Sequence, residues 1–494
     1  MIEPIEIPFG EFLPDLPVLK NPGATEALNV IPSANSYLPL KAVSPITDAL
    51  GARCRGAVTA RDKSGQVYNY AGDETSLYSL SSNTHADISN GTYALAESEN
   101  WEFVKFGETL IATCINESPQ SITLGGASFA DLGGTPPKAR HCAVVSNFVV
   151  LGNINDGTDR PQRVRWAGIN STTSWTPNAD TQSDFQDLFS DGNYGGGWIM
   201  GVTGGEYGNV FQEYSIWRMN YVGSPLIFSF EEVLPGVGTP CKNSITQEGR
   251  ITHFLSQDGF MQLIDGSQVQ AIGKNKVDNY FFNDFDATYP ERVIGSSDPN
   301  SGIVMWIYPG SGNVNGQPNK ILIYDSVNNK WSRAEDLLEW IYSAIGQGYT
   351  LEQLDAVSTN LDTLTPSLDS RAWMGGALQL AVYDDDNIKG TFGGVAMNGT
   401  IETSEAQIVK GKRSFLSGVR PLVDGDGVVN TVQVGTRNLQ NNTVSWGSAV
   451  TPNADTGISN TRVDSRYHRV RVNTSGDYDH AIGIDAYVKP TGHR

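Results

Sequence analysis

Residue types that carry catalysis or bind metals are scattered along this chain rather than grouped. The histidines show neither H-E-x-x-H nor another compact zinc spacing, and no G-x-S-x-G sequence provides a nucleophile elbow. We therefore predict no catalytic residue, no metal site and no cofactor. His253 lies inside the apolar run ITHFLS, which predicts a core histidine whose hydrogen bonds are satisfied. The six histidines are His85, His141, His253, His468, His480 and His493.

The cysteines point to the same absence of chemistry. Cys54, Cys114, Cys142 and Cys241 are far apart and form no C-x-x-C pair, so neither a zinc site nor a disulfide framework is expected. Cys114 and Cys142 lie within or beside apolar strand patterns. We predict buried free thiols at these positions.

A glycosidase function would require paired carboxylates, because hydrolytic propellers need two of them facing the axis. The nearest match to a sialidase-type Asp box is SSDPNSGIVMW, from Ser296 to Trp306, which has the wrong spacing and no second copy. Asp384-Asp385-Asp386 offers a cation site, but a solvated loop is the commoner meaning of YDDDN. The sequence therefore favours a protein without enzymatic activity.

The strongest pattern is a repeated hairpin, in which two apolar or aromatic runs flank a tight Gly- or Asn-centred turn. A hairpin-bearing unit that returns roughly every 40 to 50 residues is typical of a β-propeller. The six turns lie at Gly72, Gly107, Asn147, Gly208, Gly259 and around Gly312.

These hairpins predict an all-β fold built on a β-propeller of six to seven blades, with seven favoured, over residues 51–400. A seventh blade would combine 340–345 with 377–392, interrupted by a helical insertion near 350–370. Leucines at steps of three or four and a capping-box pattern at Thr350 and Gln353 predict a helix from Leu351 to Leu364, ended by Pro366.

The first fifty residues form a different segment. Proline fixes φ and removes a backbone donor, so this stretch is predicted to be an extended arm (1–50) with short edge strands at 27–31 and 37–43. The arm is expected to supply an edge strand or to lie against a neighbouring subunit; it would also close the propeller by adding a strand to the last blade. The stretch LPDLPVLKNPGATEALNVIPSANSYLPL within it holds five prolines, Pro14, Pro17, Pro22, Pro32 and Pro39.

From about residue 401 polar and apolar residues alternate, which is typical of a half-buried antiparallel sheet. We predict a C-terminal β segment (401–494), either a separate sandwich or a sheet added to the edge of the propeller. In the run RYHRVR, a strand would place 467, 469 and 471 on one face and 466, 468 and 470 on the other. A solvated basic edge and a contact with an acidic partner are both compatible with this split.

Net charge limits the partners. A formal charge of -20 argues against a sequence-specific nucleic-acid reader, which needs a concentrated basic surface. The same charge suits either simple solubility or a conduit past which DNA slides. The acidic, proline-containing start MIEPIEIPFGEF predicts no signal peptide, and no apolar run is long enough to predict a membrane span.

Several segments together resemble one family of short-tailed bacteriophage proteins, known as tail hub, tail nozzle or packaged-DNA stabilisation proteins. The resemblance covers nearly the whole chain in order. It rests on LPDLPVLKNPGATEALNVIPSANSYLPL, YAGDETSLYSL, WEFVKFGETLIAT, PKARHCAVVSNFVVLG, RVRWAGI, YSIWRMNYVG, HFLSQDGFMQLIDG, NKVDNYFF, LDSRAW, GVRPLVDG and RYHRVRV.

The resemblance implies a virion structural protein of the phage tail, assembled in the bacterial host cytoplasm. It implies a homo-oligomeric, six-fold ring below the portal and adaptor that retains the genomic DNA and anchors fibres, spikes or a needle. The alternative is a carbohydrate-active or glycan-binding propeller, such as a phage depolymerase. Candidate partner contacts are Pro14, Asp15, Pro17 and Pro22 in the arm and Arg466, His468, Arg469 and Arg471 near the C-terminus.

Overall fold

The computed structural model describes residues 4–81, 83–191, 195–298, 300–346, 360 and 378–492. Within these ranges the protein is all-β, and seven successive antiparallel groups of four strands form a β-propeller. The predicted fold class, including the favoured blade number of seven, is confirmed. No helix in the described ranges is both long and apolar enough to cross a membrane.

The strands follow in chain order. The arm contributes β1 (Ile5–Pro8), β2 (Ala24–Leu28), β3 (Val30–Pro32), β4 (Tyr37–Pro39) and β5 (Ser44–Ala49). Blade 1 consists of β6 (Ala57–Arg61), β7 (Val67–Gly72), β8 (Leu77–Ser81) and β9 (Thr84–Asp87). Blade 2 consists of β10 (Glu102–Phe106), β11 (Thr109–Thr113), β12 (Gln120–Thr123) and β13 (Ala130–Asp131). Blade 3 consists of β14 (Lys138–Val145), β15 (Phe148–Asn155), β16 (Asp159–Trp166) and β17 (Asp184–Asp187). Blades 4 and 5 consist of β18 (Ile199–Thr203), β19 (Gly208–Gln212), β20 (Ser215–Gly223) and β21 (Ile227–Pro235), then β22 (Thr246–Glu248), β23 (Ile251–Ser256), β24 (Gly259–Ile264) and β25 (Gln268–Ala271).

A short helix, α1 (Asp278–Asp284), precedes blade 6. Blade 6 consists of β26 (Ile294–Asp298), β27 (Ile303–Tyr308), β28 (Lys320–Asp325) and β29 (Lys330–Ala334), and blade 7 of β30 (Leu338–Ile345), β31 (Leu378–Asp384), β32 (Ile388–Thr391) and β5. The C-terminal strands are β33 (Gly399–Thr403), β34 (Arg413–Asp424), β35 (Val429–Arg437), β36 (Ser445–Trp446), β37 (Val463–Ser465), β38 (Tyr467–Ser475) and β39 (His480–Gly492). Single 3-10 turns occur at Val18–Lys20, Lys242–Ser244 and Pro290–Arg292.

All six predicted hairpins are present, but they do not occupy the same place in each blade. In blades 2 and 3 the predicted hairpin consists of the first and second strands of the blade. In blades 1, 4, 5 and 6 it consists of the second and third strands. The uneven spacing of the predicted turns follows from this difference. Gly107 lies in the turn itself with φ of 60°, while Gly72 ends a strand and the turn follows it.

The arm closes the propeller within the same chain. β5 pairs antiparallel with β32, with Ala49 opposite Ile388 and Ser44 opposite Thr391. Blade 7 therefore takes its fourth strand from the N-terminal arm and its first three from near the end of the propeller. This joins the two ends of the propeller, so that no blade edge is left open at the seam.

The C-terminal strands form two sheets packed on blade 6. β2 of the arm pairs with both β29 and β33, and this joins blade 6 to β33, β38, β35 and β36 in one nine-stranded sheet. The second sheet contains β1, β3, β4, β39, β34 and β37. One of these sheets therefore extends the edge of blade 6, and the other packs against it. A single buried core contains Trp306 and Trp331 of blade 6 together with Leu416, Val470 and Ile484 of the C-terminal sheets.

The helical prediction and the observed helix concern different segments. The predicted helix from Leu351 to Leu364 lies outside the described residues, apart from Asn360. The observed helix α1 was not predicted from the sequence; its Phe281 is buried against Phe260 and Tyr308.

Candidate functional site at the propeller axis

Each blade contributes a residue at or just before its first strand, and most of these are charged. These positions all lie at the face where the first strands begin, and contacts between non-adjacent blades place them at the propeller axis. We call the charged members the axial cluster. It contains the cations Arg53, Arg55, Arg140, Lys242 and Arg292 and the carboxylates Glu74, Glu97, Glu99 and Glu339.

Glu99 links three blades. It precedes β10 of blade 2 and accepts hydrogen bonds from Nη2 of Arg140 in blade 3, at 3.0 Å, and from Nζ of Lys242 before blade 5, at 3.2 Å. Lys242 also donates to the carbonyl oxygen of Ser98 at 2.7 Å. Blade 4 adds Trp198, whose ring lies 5.5 Å from the Arg140 guanidinium. These contacts tie the chain before blade 2 to the far side of the propeller.

Arg55 holds the same crossing segment from blade 1. Its Nη1 donates to the carbonyl oxygens of Leu95 at 3.2 Å and Ala96 at 2.6 Å, and its Nη2 donates to Glu74 at 3.0 Å and Glu97 at 2.9 Å. The side chain is only 3% exposed. A buried guanidinium with four acceptors fixes the backbone that it contacts, because each of its hydrogen bonds is charge-assisted.

Blades 6 and 7 meet in a second buried pair. Arg292, just before β26, donates from Nη2 to Glu339 Oε2 of β30 at 2.5 Å. Both residues are buried. Arg53, which pairs with Glu97 at 2.8 Å, also lowers the pKa of Arg292, second to burial, and so connects this pair to the rest of the cluster.

Burial and pairing shift these groups in opposite directions. Burial acts to raise the pKa of Glu99, but the Lys242 ammonium and the Arg140 guanidinium outweigh it and hold the pKa below its usual value. Burial raises the pKa of Glu339 although Arg292 opposes the shift, and burial lowers the pKa of Lys242 although Glu99 opposes it. Each group is held by an opposite charge, which offsets the cost of removing it from water.

Ion pairs therefore connect non-adjacent blades at the propeller axis. Glycoside hydrolysis requires two carboxyl groups that face a substrate across a gap. Here Glu99 and Glu339 are both buried and hydrogen-bonded to cations. In the described part of the chain, no group of three or more His, Cys, Asp or Glu residues is arranged to hold a metal ion.

Among the predicted arm contacts, Asp15 has a defined role within the subunit. Its two carboxylate oxygens accept hydrogen bonds from the backbone N–H groups of Asn279, at 2.9 Å, and Tyr280, at 2.7 Å, in the first turn of α1. Pro14 and Asp15 line a shallow cavity of about 420 Å³ beside this helix. Pro17 and Pro22 are exposed.

Arg469 and Arg471, predicted near the C-terminus, also contact their own subunit. Both pair with the buried Glu402 of β33, and the Arg471 guanidinium lies 4.1 Å from the centre of the Trp446 ring. Arg469 additionally donates to Oγ1 of Thr25 in the arm at 2.9 Å. The predicted alternation of the strand is observed along β38, where 467, 469 and 471 are half-buried and 468, 470 and 472 are buried.

The other two C-terminal candidates are His468 and Arg466. His468 is buried, with Nε2 3.1 Å from Ser414 Oγ, and burial lowers its pKa. Arg466 lies half-buried just before β38. Whether any of these residues contacts a partner stays a prediction.

His253 is a core residue as predicted, but its hydrogen bonds are not satisfied. It is fully buried, and neither ring nitrogen has a hydrogen-bond partner among the described residues. Trp306 and Tyr324 of blade 6 pack edge-on against it, with ring centroids at 6.4 and 5.9 Å. Desolvation lowers the pKa of His253 to about 4, so the ring is neutral at pH 7.

The cysteine prediction is confirmed, because all four residues are buried free thiols. Burial raises the pKa of every one of them, and that of Cys114 reaches about 12. Asp384 ends β31, and its Oδ1 accepts a hydrogen bond from the backbone N–H of Ile388 across the turn to β32 at 2.8 Å.

The axial cluster was not predicted from the sequence, because only paired carboxylates, and not isolated cations, were considered as site residues. One signal was available: a charged residue recurs at or just before the first strand of nearly every blade. Arg55, Glu99, Arg140, Lys242, Arg292 and Glu339 all occupy this place. The signal becomes visible only when the blade boundaries are known.

Comparisons with known proteins return structural similarity only. No protein-family model and no curated protein matches the chain. Among solved structures the chain is similar to BamB from Moraxella catarrhalis, with 11% identity, a TM-score of 0.34 and coverage of 74% of this chain and 92% of that one. It is also similar to the Pan2 WD40 domain of Neurospora crassa, with 8% identity, a TM-score of 0.38 and coverage of 73% and 97%.

A third similarity is to the extracellular domain of the putative hybrid two component system BT4673 from B. thetaiotaomicron. The identity is 11%, the TM-score is 0.40, and the match covers 81% of this chain and 45% of that one. At these values none of the three bears on function, and the description of the fold rests on the sheets themselves.

Proposed function

We propose that the protein is a virion structural protein, a tail hub or nozzle subunit of a short-tailed phage. In this proposal copies of the chain form a homo-oligomeric ring, a hexamer, below the portal and adaptor. The ring retains packaged DNA and anchors fibres, spikes or a needle. It has no catalytic activity.

The observation that carries the proposal is the crossing of the axis by the chain segment before blade 2. Lys242 and Glu99 meet across the propeller, and Arg55 fixes the segment that crosses it. Ion pairs at the axis leave the outer surfaces of the propeller for function, as expected of a subunit of a structural ring. The path for DNA would then run between subunits and not through any single propeller.

Two further features support the same proposal. The resemblance to tail hub proteins extends from the arm through the propeller to the C-terminal sheets. The formal charge of -20 would repel the phosphate backbone and reduce friction along a conduit. The glycan-active alternative needs two accessible carboxylates that face each other across a gap. Glu99 and Glu339 are buried in ion pairs, and the more exposed Glu74 and Glu97 are both bound by Arg55, which does not favour it.

Electron microscopy of the particle provides the test. We expect density for the propeller and its C-terminal sheets as a collar directly beneath the portal, with several copies around the axis. A particle in which this protein is a monomer, or in which it lies away from the portal vertex, would contradict the proposal. Purified protein should leave host polysaccharide intact, whereas release of oligosaccharides would favour the alternative function.

A further inference from the structure

A cleft between blades 4 and 5 contains an arginine, Arg218, that makes no ion pair with another described residue. Its volume is about 320 Å³, and it opens at the face opposite to the axial cluster, between the first hairpin turns of the two blades. Arg218 and Asn220 project from β20, and Arg250 belongs to the turn after β22. The lining residues are Glu206, Tyr207, Arg218, Asn220, Tyr221 and Arg250.

Arg218 lies against an aromatic ring, and no described residue accepts a hydrogen bond from its guanidinium. Its guanidinium lies 4.3 Å from the centre of the Tyr207 ring, and its buried Nε has no hydrogen-bond partner. Elsewhere in the described chain, arginines without an ion pair or a side-chain hydrogen bond, such as Arg61 and Arg462, are exposed to solvent, whereas Arg218 is half-buried. A half-buried guanidinium without an acceptor is costly, because its donors are removed from water without compensation.

The opposite wall supplies a second guanidinium that is free to move. Arg250 pairs with Glu206 and Asp265, each at 3.5 Å, and its side chain is 71% exposed. Exposed pairs at this distance contribute little to stability, so Arg250 turns toward a ligand at small cost. Glu206 is the one carboxylate in the lining, and Arg250 pairs with both Glu206 and Asp265. Arg218 itself makes no ion pair with a described residue, and Glu231 of β21 lies opposite it in the sheet register.

We propose that this cleft binds an oxyanion, with Arg218 as the principal ligand-binding residue. The Arg218 guanidinium lies over the Tyr207 ring, which limits the movement of the side chain. A guanidinium binds two oxygens in the bidentate geometry of carboxylate and phosphate recognition. Arg250 closes over the anion, and the Asn220 amide lies in the same lining. Two sources supply this chemistry: free phosphate, or a carboxylate of a second copy of this acidic chain. The inference does not depend on a role in a phage tail.

Titration of the intact protein with inorganic phosphate, against chloride at equal ionic strength, tests the first source. Phosphate is expected to raise the Tm of the wild type, because a ligand that binds only the folded state stabilises it. Arg218→Met should weaken binding measured by calorimetry at least about tenfold, as expected for loss of a charged hydrogen-bonding partner. Arg61→Met, an exposed arginine without a partner, is the matched control and should bind phosphate as the wild type does.

Measurement of mass in solution tests the second source. If phosphate has no effect, Arg218→Met should reduce self-association while Arg61→Met does not, which assigns the site to a carboxylate of a second copy. If phosphate binding and self-association are both the same in Arg218→Met and the wild type, the proposal is wrong. Should Arg218→Met fail to fold, the comparison is repeated with two other variants. Arg218→Lys keeps the positive charge at position 218, and Arg250→Met keeps Arg218 itself.

Discussion

At the scale of single residues, Glu99 shows how one side chain joins distant parts of the chain. Its carboxylate receives Arg140 and Lys242 from blades that are not adjacent to each other. An ion pair of this kind costs solvation energy to bury, and it is retained only while both partners are present. Glu99 therefore fixes the crossing segment, because moving it away would leave Lys242 and Arg140 without a paired carboxylate.

Substitution Glu99→Gln should destabilise the protein by about 3 to 5 kcal/mol, because it leaves Lys242 and Arg140 as buried cations without a carboxylate. The free energy of unfolding in urea, followed by tryptophan fluorescence, measures the change. Asp477→Asn is the matched control, since Asp477 pairs with Lys41 at 3.4 Å but its side chain is 68% exposed. The control should change stability by about 0 to 1 kcal/mol, and equal losses in the two variants would refute the argument.

Asp15 shows why residue roles are hard to assign from sequence. It was a candidate partner contact because it lies in the proline-rich arm, and in the structure it caps α1 from more than 260 positions away. α1 has no side-chain cap in its own sequence, and it is only 7 residues long. A helix this short is marginal in isolation, so no local pattern predicts it.

At the scale of elements, the arm strand β5 decides how the propeller closes. It pairs with β32 and also reaches blade 1, where Nδ1 of His85 lies 2.8 Å from Oδ1 of Asp48. Nε2 of His85 in turn lies 3.1 Å from the hydroxyl of Tyr383 in blade 7. The arm is thereby held to both blades at the seam.

A disulfide tests this closure. Cysteines at Ala49 and Ile388, which are opposite each other in the antiparallel pair, should cross-link on mild oxidation within a single chain. The native thiols are buried and should not compete. Non-reducing electrophoresis should show a cross-linked monomer, and Ala49 with Thr391 as the control cysteine pair should react more slowly.

An intermolecular dimer from the Ala49 and Ile388 pair would give the opposite answer. It would mean that the arm strand completes the last blade of a neighbouring subunit. The same experiment therefore separates closure within one chain from strand exchange between chains.

At the scale of the whole molecule, the propeller and the C-terminal sheets are not separate bodies. Trp306 and Trp331 of blade 6 belong to the same buried core as Leu416, Val470 and Ile484. The arm strand β2 lies between blade 6 and β33 within one sheet. Removal of the C-terminal sheets would expose this core to water.

We therefore expect one cooperative unfolding transition for the full chain. Tryptophan fluorescence and far-UV circular dichroism should give the same urea midpoint, since a shared core couples the two parts. A chain that ends after residue 398 should aggregate instead of forming a stable propeller. Two separate transitions in the full chain would show that the C-terminal sheets fold independently.

The sequence by itself determined the repeated elements. Hairpin turns such as that at Gly107, and strand runs such as those before and after Asn147, are set by local backbone preference and by the alternation of buried side chains. These local signals were enough to predict an all-β propeller, its favoured seven blades and the alternation along β38. They act over a few residues and need no knowledge of distant contacts.

Only the tertiary structure decided which residues meet. The pairing of Glu99 with Lys242, the capping of α1 by Asp15 and the unmatched guanidinium of Arg218 all depend on chain segments that are far apart in sequence. Charged groups carry no periodicity that marks their partner, because a buried ion pair is defined by burial and distance, and both arise only when the blades close around the axis.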